Sequence, residues 1–498
     1  MIKNIAANFI GRFLSIFTNF LFIPIYIHYL GFESYSIISF TLVIASLMAV
    51  LDGGLTSTLS REFARTDNTF AEKIRIFKTL ESTYFILIIL CILFVFVFSG
   101  IIANNWLNLE GINPQKVSFF LKIISFDVGF QLLLRFYMGG LMGLEKQIKA
   151  NLYQTGWGLF RNGFVILAIL IVPSLEMFFV WQTISTIVFT ILFGLSLRKE
   201  LTGVFKFDFQ FQIENIVLKN IWRFAGGMLL INLIASINTQ MDKLIISKLL
   251  LIENLGYYTL AVSLAMGILV LVNPISAAVL PRFTALYSAG EKKRASNLFY
   301  KLNLIVAILV FSIMANMTFF AKDIIWIWTG KMDLAEHAYR LIPVIVFAYS
   351  MLSLQVIPYN IAIANGYTKL NNYMGIISLF VTFPGYWFAT TIYGPIGAAY
   401  VFCTVQTITT FIYLYVILKK FTINRSIIST YIFQIIFPLL ITLAVAFMFS
   451  FIPLWVSSNR FISLTWIGIA IICSFFAATI ILVPNVELKR IKNFIKIN

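Results

Sequence analysis

The dominant pattern in the chain is a series of long apolar stretches separated by short polar segments. Each stretch is close to the roughly 20 apolar residues that a helix needs to cross a membrane. Around Pro173 and around Pro395 the pattern leaves open whether two stretches form a hairpin or one long broken helix. Fourteen transmembrane helices are predicted, near 5–27, 35–56, 81–103, 117–138, 150–172, 177–197, 225–247, 255–278, 302–326, 340–364, 372–391, 396–418, 430–452 and 462–484.

Lysine and arginine residues are concentrated in alternate loops. One set of loops carries roughly two dozen of them, including Arg61, Lys146, Arg198 and Lys419, whereas the other set carries about four. Short loops rich in these residues stay on the cytoplasmic side during membrane insertion. The alternation therefore predicts an even number of helices, with both termini in the cytoplasm.

The composition supports a membrane protein. The chain is 60% hydrophobic and 11% charged, whereas soluble domains are about 45–50% apolar and about 25% charged. The basic residues behind the net charge of +17 lie mainly in the alternate loops between the predicted spans, so we do not expect nucleic acid as a partner. Cys91, Cys403 and Cys473 lie inside apolar stretches, where they are predicted to act as small hydrophobic residues rather than as a disulfide framework.

A weak internal repeat divides the chain. Residues 30–37 are similar to residues 250–257, and residues 59–63 to residues 280–283, at an offset of about 220 residues. An offset of six helices predicts two copies in the same orientation, with a site between them; the alternative is chance similarity of two loop–helix junctions. The expected fold is therefore an all-α polytopic membrane protein with two pseudo-symmetric six-helix lobes, 1–200 and 201–422, and an extra transmembrane pair and tail, 423–498.

Two of the predicted helices carry matching polar stripes. A charge exposed to lipid costs about 2.5–3.5 kcal/mol on insertion scales, so polar residues inside spans are expected to face protein or water. The spacing of each stripe places its members on one helical face, which indicates that both line one cavity; the alternative is hydrogen bonding between helices. The stripes are Asn8, Arg12, Ser15 and Asn19 in the first helix, and Asn232, Ser236, Thr239 and Lys243 in the seventh.

Other ionisable residues inside spans complete the set of candidates. Arg161 lies in mid-span and is the strongest candidate for a substrate contact, whereas Arg135 and Lys322 lie near predicted span ends and are expected to snorkel. Asp127 could neutralise Lys122 or Arg161, or bind a coupling cation. The predicted cavity residues are Arg12, Asn19, Asp52, Lys122, Asp127, Arg161 and Lys243.

The candidate charges favour an anionic substrate. Cations outnumber acids within the spans, and arginine binds phosphate through two hydrogen bonds at once. Arg161→Ala is therefore expected to abolish transport without lowering the abundance of the protein in the membrane.

The sequence offers little for catalysis. His28 and His337 stand outside any metal-ligand spacing, and neither a nucleophile elbow nor a glycine-rich phosphate loop is present. We therefore expect a protein that is not an enzyme, with no catalytic residue, no metal site and no cofactor, and we leave the coupling ion, H⁺ or Na⁺, open.

Four segments of the sequence carry a family resemblance, and they are Tyr29–Tyr35, Leu51–Arg65, Ala364–Tyr373 and Tyr393–Ala399. Through these segments the chain resembles the bacterial O-antigen flippases of the polysaccharide transporter family, in the multidrug/oligosaccharidyl-lipid/polysaccharide exporter superfamily, and the likeness runs to about residue 418. The resemblance implies a two-lobed helical bundle in the bacterial inner membrane.

The resemblance also implies a function, which is movement of an undecaprenyl-pyrophosphate-linked oligosaccharide to the periplasmic leaflet. Other polysaccharide-assembly proteins would then be partners. Many relatives have twelve helices; the related lipid II flippases have fourteen, and there the last pair helps to form a groove for the lipid tail, a role implied here for 430–484. Two rival functions stay open: an ion-coupled drug or metabolite antiporter, which needs acids in the first two helices, and a membrane glycan polymerase or ligase, which needs an outer catalytic loop.

Overall fold

Helices make up nearly all of the described structure. The computed structural model describes residues 20–65, 69–204, 206, 209–423, 426–451 and 459–483. Its helices in chain order are α1 Phe20–Leu30, α2 Phe32–Met48, α3 Leu55–Ala64, α4 Phe70–Ile101, α5 Pro114–Gly143, α6 Gln147–Gly158, α7 Val165–Ile171, α8 Leu175–Thr202, α9 Asn215–Leu249, α10 Ile252–Ser288, α11 Lys292–Phe319, α12 Ala321–Thr329, α13 Met332–Ala338, α14 Leu341–Leu354, α15 Val356–Ala364, α16 Lys369–Tyr393, α17 Pro395–Phe421, α18 Ile427–Tyr431, α19 Phe437–Ser450 and α20 Arg460–Leu482. Short π-helical turns extend or join several of them, including Leu159–Gly163 between α6 and α7.

The described helices fit a membrane-embedded bundle. Thirteen helical segments within the described residues are long and apolar enough to cross a membrane, and α1 is a shorter apolar helix beside residues outside the description. Large apolar side chains such as Phe380, Phe388 and Ile480 are about two-thirds exposed or more, which only lipid tolerates on this scale. The predicted all-helical membrane fold is confirmed, and the predicted count of about fourteen helices is close to the observed one.

The two tight pairs left open by the sequence are both hairpins of separate helices. Helix α7 ends at Ile171 and α8 begins at Leu175, and the Trp181 indole nitrogen donates a hydrogen bond back to the Phe160 carbonyl oxygen at 2.9 Å. Helices α16 and α17 pack on each other and turn at Gly394, whose φ of 68° is left-handed and suits glycine.

One predicted span ends earlier than the sequence pattern indicated. The ninth span was expected to continue to residue 326, but α11 ends at Phe319 and a separate short helix, α12, follows. Lys322 therefore lies outside the long apolar helices, and its ammonium nitrogen is 3.0 Å from a carboxylate oxygen of Glu336. The prediction that Lys322 and Asp323 lie within the ninth span is wrong, since both belong to the separate helix α12. The sequence pattern did not show the break because α12 continues the apolar composition of α11.

The chain divides into two compact units, Met1–Gly256 and Tyr257–Asn498. In the first unit, α5 packs against α4 and α8, and α8 packs against α6 and α7. In the second unit, α14 likewise packs against α11 and α17, and α17 packs against α16. This similar order of neighbours is what a six-helix repeat produces, while the predicted boundaries 1–200, 201–422 and 423–498 stay a prediction.

The C-terminal helices are joined to the second unit by buried amides. Helices α19 and α20 pack against each other and against α11. The Asn303 amide nitrogen donates to the Gln434 side-chain oxygen at 2.9 Å, and the Asn316 amide nitrogen donates to the Ser474 hydroxyl oxygen at 3.0 Å. Hydrogen bonds of this kind fix helix pairs where lipid removes the hydrophobic driving force.

Closely spaced glycines of α5 allow α3 to approach it. A Cβ atom placed on Gly139 would lie 2.4 Å from the Thr56 methyl carbon, and one on Gly143 would lie 2.5 Å from the Ser60 carbonyl oxygen. The spacing of four residues is the small-residue pattern that brings membrane helices into close contact. Thr56 therefore lies directly against α5, next to the polar residues described below.

We expect Gly143→Ala to lower the free energy of unfolding by about 1–3 kcal/mol, because the added methyl group meets backbone atoms that cannot rotate away. The measurement is the thermal unfolding midpoint of the purified protein in detergent. Gly468→Ala is the matched control, since its Cβ would meet no atom within 4 Å. An unchanged midpoint for Gly143→Ala would contradict the close approach of α3 and α5.

Candidate functional site

The centre of the site is a buried carboxylate in the middle of α5. Asp127 accepts hydrogen bonds from the Gln131 amide nitrogen at 2.9 Å, from the Thr186 hydroxyl at 2.5 Å, and from the Arg161 guanidinium at 2.6 Å. Gln131 follows Asp127 by one turn of α5, and Thr186 belongs to the neighbouring helix α8. A buried charge of this kind is tolerated because it is both paired and hydrogen-bonded.

Arg161 is placed by an irregular turn. It lies in the π-helical turn Leu159–Gly163, a feature that often marks functional positions in helices. Three successive carbonyl oxygens of this turn accept side-chain hydrogen bonds, from Trp181 to Phe160, from Gln182 to Arg161, and from Tyr26 to Asn162. These bonds stabilise backbone groups that a regular helix would have paired internally, so α8 and α1 together hold the turn open.

The Arg161 side chain faces protein rather than lipid. Only 13% of it is exposed, its guanidinium lies 5.4 Å from the centre of the Trp157 ring, and its Nε is buried without a hydrogen-bond partner among the described residues. The sequence left open whether Asp127 neutralises Lys122 or Arg161 or binds a coupling cation, and the structure pairs it with Arg161. Arg161 is therefore mostly committed to Asp127, and little of its charge is presented to a ligand.

Arg135 is an exposed charge well inside α5. Every other residue from Gln131 to Tyr137 is buried, whereas the Arg135 side chain is exposed. Phe119 and Phe126, the exposed apolar residues of α5, indicate its lipid-facing side. Nine residues of α-helix rotate by about 900°, so Arg135 points to the side opposite Phe126. Arg135 therefore lies on the side of α5 that faces away from lipid.

No close partner within the described part of the chain takes up the charge of Arg135. None of the described residues forms a hydrogen bond or an ion pair with it, although the charges of Asp52 and Arg161 are near enough to interact with it through space. Asp52, Arg135, Arg161 and Asp127 thus form a connected set of charges in the first unit. The set contains two negative and two positive charges, and Arg135 is its exposed member.

Asp52 lies at a sharp break in the second span. It ends a short 3₁₀ turn before Gly53 and Gly54, whose φ values of 56° and 76° are left-handed. Its carboxylate accepts hydrogen bonds from the backbone and hydroxyl of Thr56, at 3.2 and 2.5 Å. A Cβ on Gly54 would lie 2.3 Å from the Met228 Cβ, so only glycine allows α9 to pack this closely here.

Two other predicted site residues lie apart from this set. The Lys122 ammonium is 5.3 Å from the centre of the Phe96 ring and forms no ion pair with Asp127. The Lys243 ammonium donates to the Thr239 carbonyl oxygen of its own helix at 3.0 Å and lies 3.6 Å from Asp242. Of the seven predicted residues, the structure brings together Asp52, Asp127 and Arg161. Arg12 and Asn19 lie outside the described residues.

The polar stripe on α9 is used partly for packing. The Ser236 hydroxyl donates to the Ser46 carbonyl oxygen of α2 at 3.0 Å, and the Thr239 hydroxyl donates to the Ser236 carbonyl oxygen. Ser236 therefore forms a hydrogen bond between two helices, which is the alternative to lining a cavity that the sequence left open. The matching stripe of the first helix lies outside the described residues.

The sequence interpretation missed Arg135 because it placed the end of the fourth span near residue 138. Helix α5 continues to Gly143, so Arg135 is eight residues, about 12 Å, from the helix end. The signal available was the spacing of four residues from Asp127 to Gln131 and from Gln131 to Arg135, which turns each residue about 40° around the helix from the one before it. Arg198 was likewise assigned to a loop, whereas it is 3% exposed inside α8 and bonds Glu81 at 2.5 Å.

The structure gives no support for a metal centre. No group of three or more histidine, cysteine, aspartate or glutamate side chains comes together among the described residues. The chemistry that this set of charges offers is the binding of an anion through an exposed guanidinium, close to carboxylates that are already paired or hydrogen-bonded.

The apolar helices of the described residues indicate a multi-pass membrane protein. The chain belongs to the polysaccharide biosynthesis protein family, whose model matches residues 1–287. A model for the MatE family also matches residues 228–388. The resemblance to the O-antigen flippase family within the exporter superfamily is confirmed by these matches together with the relatives below, and the chain is a transporter rather than an enzyme.

The similar proteins are all transporters by name. A Shigella flexneri protein whose name assigns it as an O-antigen transporter is 20% identical over 377 residues, which is 74% of this chain and 86% of that protein. The structure is similar to the lipid II flippase MurJ in an inward closed conformation, with a TM-score of 0.75, 16% identity, and coverage of 97% of this chain and 99% of that one. It is also similar to an inward-facing multidrug resistance MATE family transporter of the MOP superfamily, with a TM-score of 0.64, 14% identity, and coverage of 84% and 95%.

Proposed function

We propose that the protein flips an undecaprenyl-pyrophosphate-linked oligosaccharide, an O-antigen repeat unit, from the cytoplasmic to the periplasmic leaflet of a bacterial inner membrane. The observation that carries this proposal is Arg135, an exposed residue on the side of α5 that faces away from lipid, whose guanidinium forms no ion pair or hydrogen bond with a described residue. A lipid-linked pyrophosphate must cross a medium in which isolated charge is costly. An arginine that offers two parallel hydrogen bonds is the side chain best suited to hold it.

The family and the extent of the structural similarity support the proposed substrate class. The family model concerns polysaccharide biosynthesis, and the curated relative is assigned to O-antigen transport. The similarity to the lipid II flippase extends over 97% of the chain, whereas that to the MATE transporter covers 84%. We propose that the C-terminal helices α19 and α20 accompany the lipid tail.

The transport cycle proposed here is alternating access. Breaks within membrane helices allow segments to reorient, and two lie in the first unit, at Gly53–Gly54 and at the π-helical turn Leu159–Gly163. The internal repeat supports the proposed lobes 1–200 and 201–422, and the loop charges support a cytoplasmic location of both termini. The proposed inner-membrane location rests on the family resemblance. A coupling ion, H⁺ or Na⁺, is compatible with the cycle.

A drug or metabolite antiporter is the second candidate, favoured by the MatE model and the MATE structure. Such a protein needs a carboxylate free to bind a cation. Within the described residues of the first two helices, Asp52 offers one, but it accepts two hydrogen bonds from Thr56 and senses the positive charge of Arg135. This environment disfavours a cation site, and the flippase remains our proposal.

The test is a strain that lacks this protein. In right-side-out spheroplasts we expect the lipid-linked repeat units to be inaccessible to a membrane-impermeant sugar-modifying reagent, whereas the parent strain exposes them. Complementation with the wild-type chain should restore access. Normal exposure of repeat units, combined with increased sensitivity to cationic dyes, would overturn the flippase and support the antiporter.

A further inference from the structure

A cation-lined cavity lies in the first unit, away from the charges around Asp127. Its volume is about 430 Å³, which lies in the range of small-ligand sites. It opens between the beginning of α4 and the end of α8. The apolar side chains of its walls include Phe77, Leu201 and Val204. The cationic side chains are those of Lys78, Arg198 and Lys206.

The floor of this cavity is rigid and electrically neutral. Arg198 donates to a carboxylate oxygen of Glu81 at 2.5 Å, and the Tyr137 hydroxyl donates to the same oxygen at 2.5 Å. Both charged side chains are almost completely buried. The guanidinium also lies 5.4 Å from the centre of the Phe77 ring. This arrangement fixes α4, α5 and α8 together and leaves the charge of the cavity to its two lysines.

Those lysines are not neutralised by the acids described nearby. The Lys78 ammonium donates to the uncharged side chain of Gln210 at 2.6 Å, and the Lys206 side chain is exposed. Glu214 is bonded by Arg75, and Glu200 is bonded by Lys146 and Lys149. The described part of the cavity therefore carries an uncompensated positive charge beside apolar walls.

The position of the cavity suits the headgroup layer of a membrane. After Phe70 at the very start of α4, the exposed large apolar residues of this helix begin at Ile86, about two helical turns after Lys78. The cavity lies at the end of the helices that carries the basic loops with Arg61 and Lys146. Basic pockets between membrane helices on the cytoplasmic side bind anionic lipid headgroups. An apolar wall beside the charge suits the glycerol and upper acyl groups of such a lipid.

We propose that this cavity binds the phosphodiester headgroup of an anionic phospholipid from the cytoplasmic leaflet. The lipid would connect α4, α8 and the segment that follows α8, so that the first unit is stabilised in an anionic membrane. This site is separate from the substrate site and does not depend on the proposed function.

The experiment is native mass spectrometry of the full chain released from an uncharged detergent, with phosphatidylglycerol and chain-matched phosphatidylcholine added separately. We expect the wild-type protein to retain phosphatidylglycerol in preference to phosphatidylcholine. Lys78→Gln with Lys206→Gln should weaken that retention by roughly 30-fold, at about fivefold for each lysine near the membrane surface. Lys292→Gln with Lys293→Gln removes the same charge from exposed positions of the second unit and should leave the retention unchanged.

A second variant tests the cavity without altering its charge. Val204→Trp fills the mouth from an exposed position and should lower phosphatidylglycerol retention by at least tenfold, while the thermal unfolding midpoint without lipid stays unchanged. Equal retention by the wild type and the double lysine variant would overturn the proposal. Displacement of the lipid by millimolar inorganic phosphate would also overturn it, since the cavity would then be a site for the free anion.

Discussion

Arg135→Gln is expected to reduce flipping of the lipid-linked substrate by about 10- to 100-fold without lowering the abundance of the protein. A hydrogen bond to a charged group contributes about 1.5–3 kcal/mol, and each 1.4 kcal/mol corresponds to tenfold. Abundance should be unaffected because Arg135 is exposed and forms no ion pair with a described residue. The measurement is flipping of a polyprenyl-pyrophosphate-linked oligosaccharide in proteoliposomes, normalised to protein content.

Two comparison variants sharpen this experiment. Arg135→Lys keeps the charge but loses the planar pair of donors, so we expect an activity between those of the wild type and Arg135→Gln. Arg294→Gln removes an exposed arginine that bonds Glu291 at the start of α11, and it should flip at the wild-type rate. Wild-type flipping by Arg135→Gln would remove the observation on which the substrate site is based.

Arg161→Ala is expected to lower both flipping and the amount of folded protein. The sequence alone suggested that abundance would stay normal, but the structure shows the guanidinium bonded to the buried carboxylate of Asp127 at 2.6 Å. Removing one partner of a buried ion pair leaves an uncompensated charge and costs about 3–5 kcal/mol. The measurements are membrane abundance by immunoblot and the thermal unfolding midpoint in detergent.

A double variant separates the structural contribution of Arg161 from any contact with substrate. Asp127→Asn with Arg161→Gln replaces the ion pair by an amide pair, and should recover most of the lost stability. If Arg161 serves only to hold the π-helical turn, flipping should recover with stability. If its buried charge also contributes to substrate binding, the double variant should be abundant and slow. Normal abundance of Arg161→Ala alone would contradict the stabilising role of the ion pair.

Several features could be predicted because they depend on local pattern. The lengths of the apolar stretches predicted most of the spans. At Pro173 and at Pro395 the sequence allowed a hairpin or one broken helix, and the structure has a hairpin at both. The end of α11 was misplaced, because α12 continues the apolar composition and nothing in the local sequence shows the break after Phe319. Asp127 and Arg161 were recognised as unusual, since charge within a span needs a partner.

The amino-acid sequence by itself determined that this protein spans a membrane many times, and that charged residues such as Asp127 and Arg161 are enclosed by protein. The physical reason is that apolar length and the cost of charge in hydrocarbon are properties of each segment alone. Only the tertiary structure decided that Arg161 is bonded to Asp127, that Lys122 is not, and that Arg135 is exposed on the side of α5 opposite to lipid. Those facts depend on the rotation of each helix and on its neighbours, which no single segment specifies.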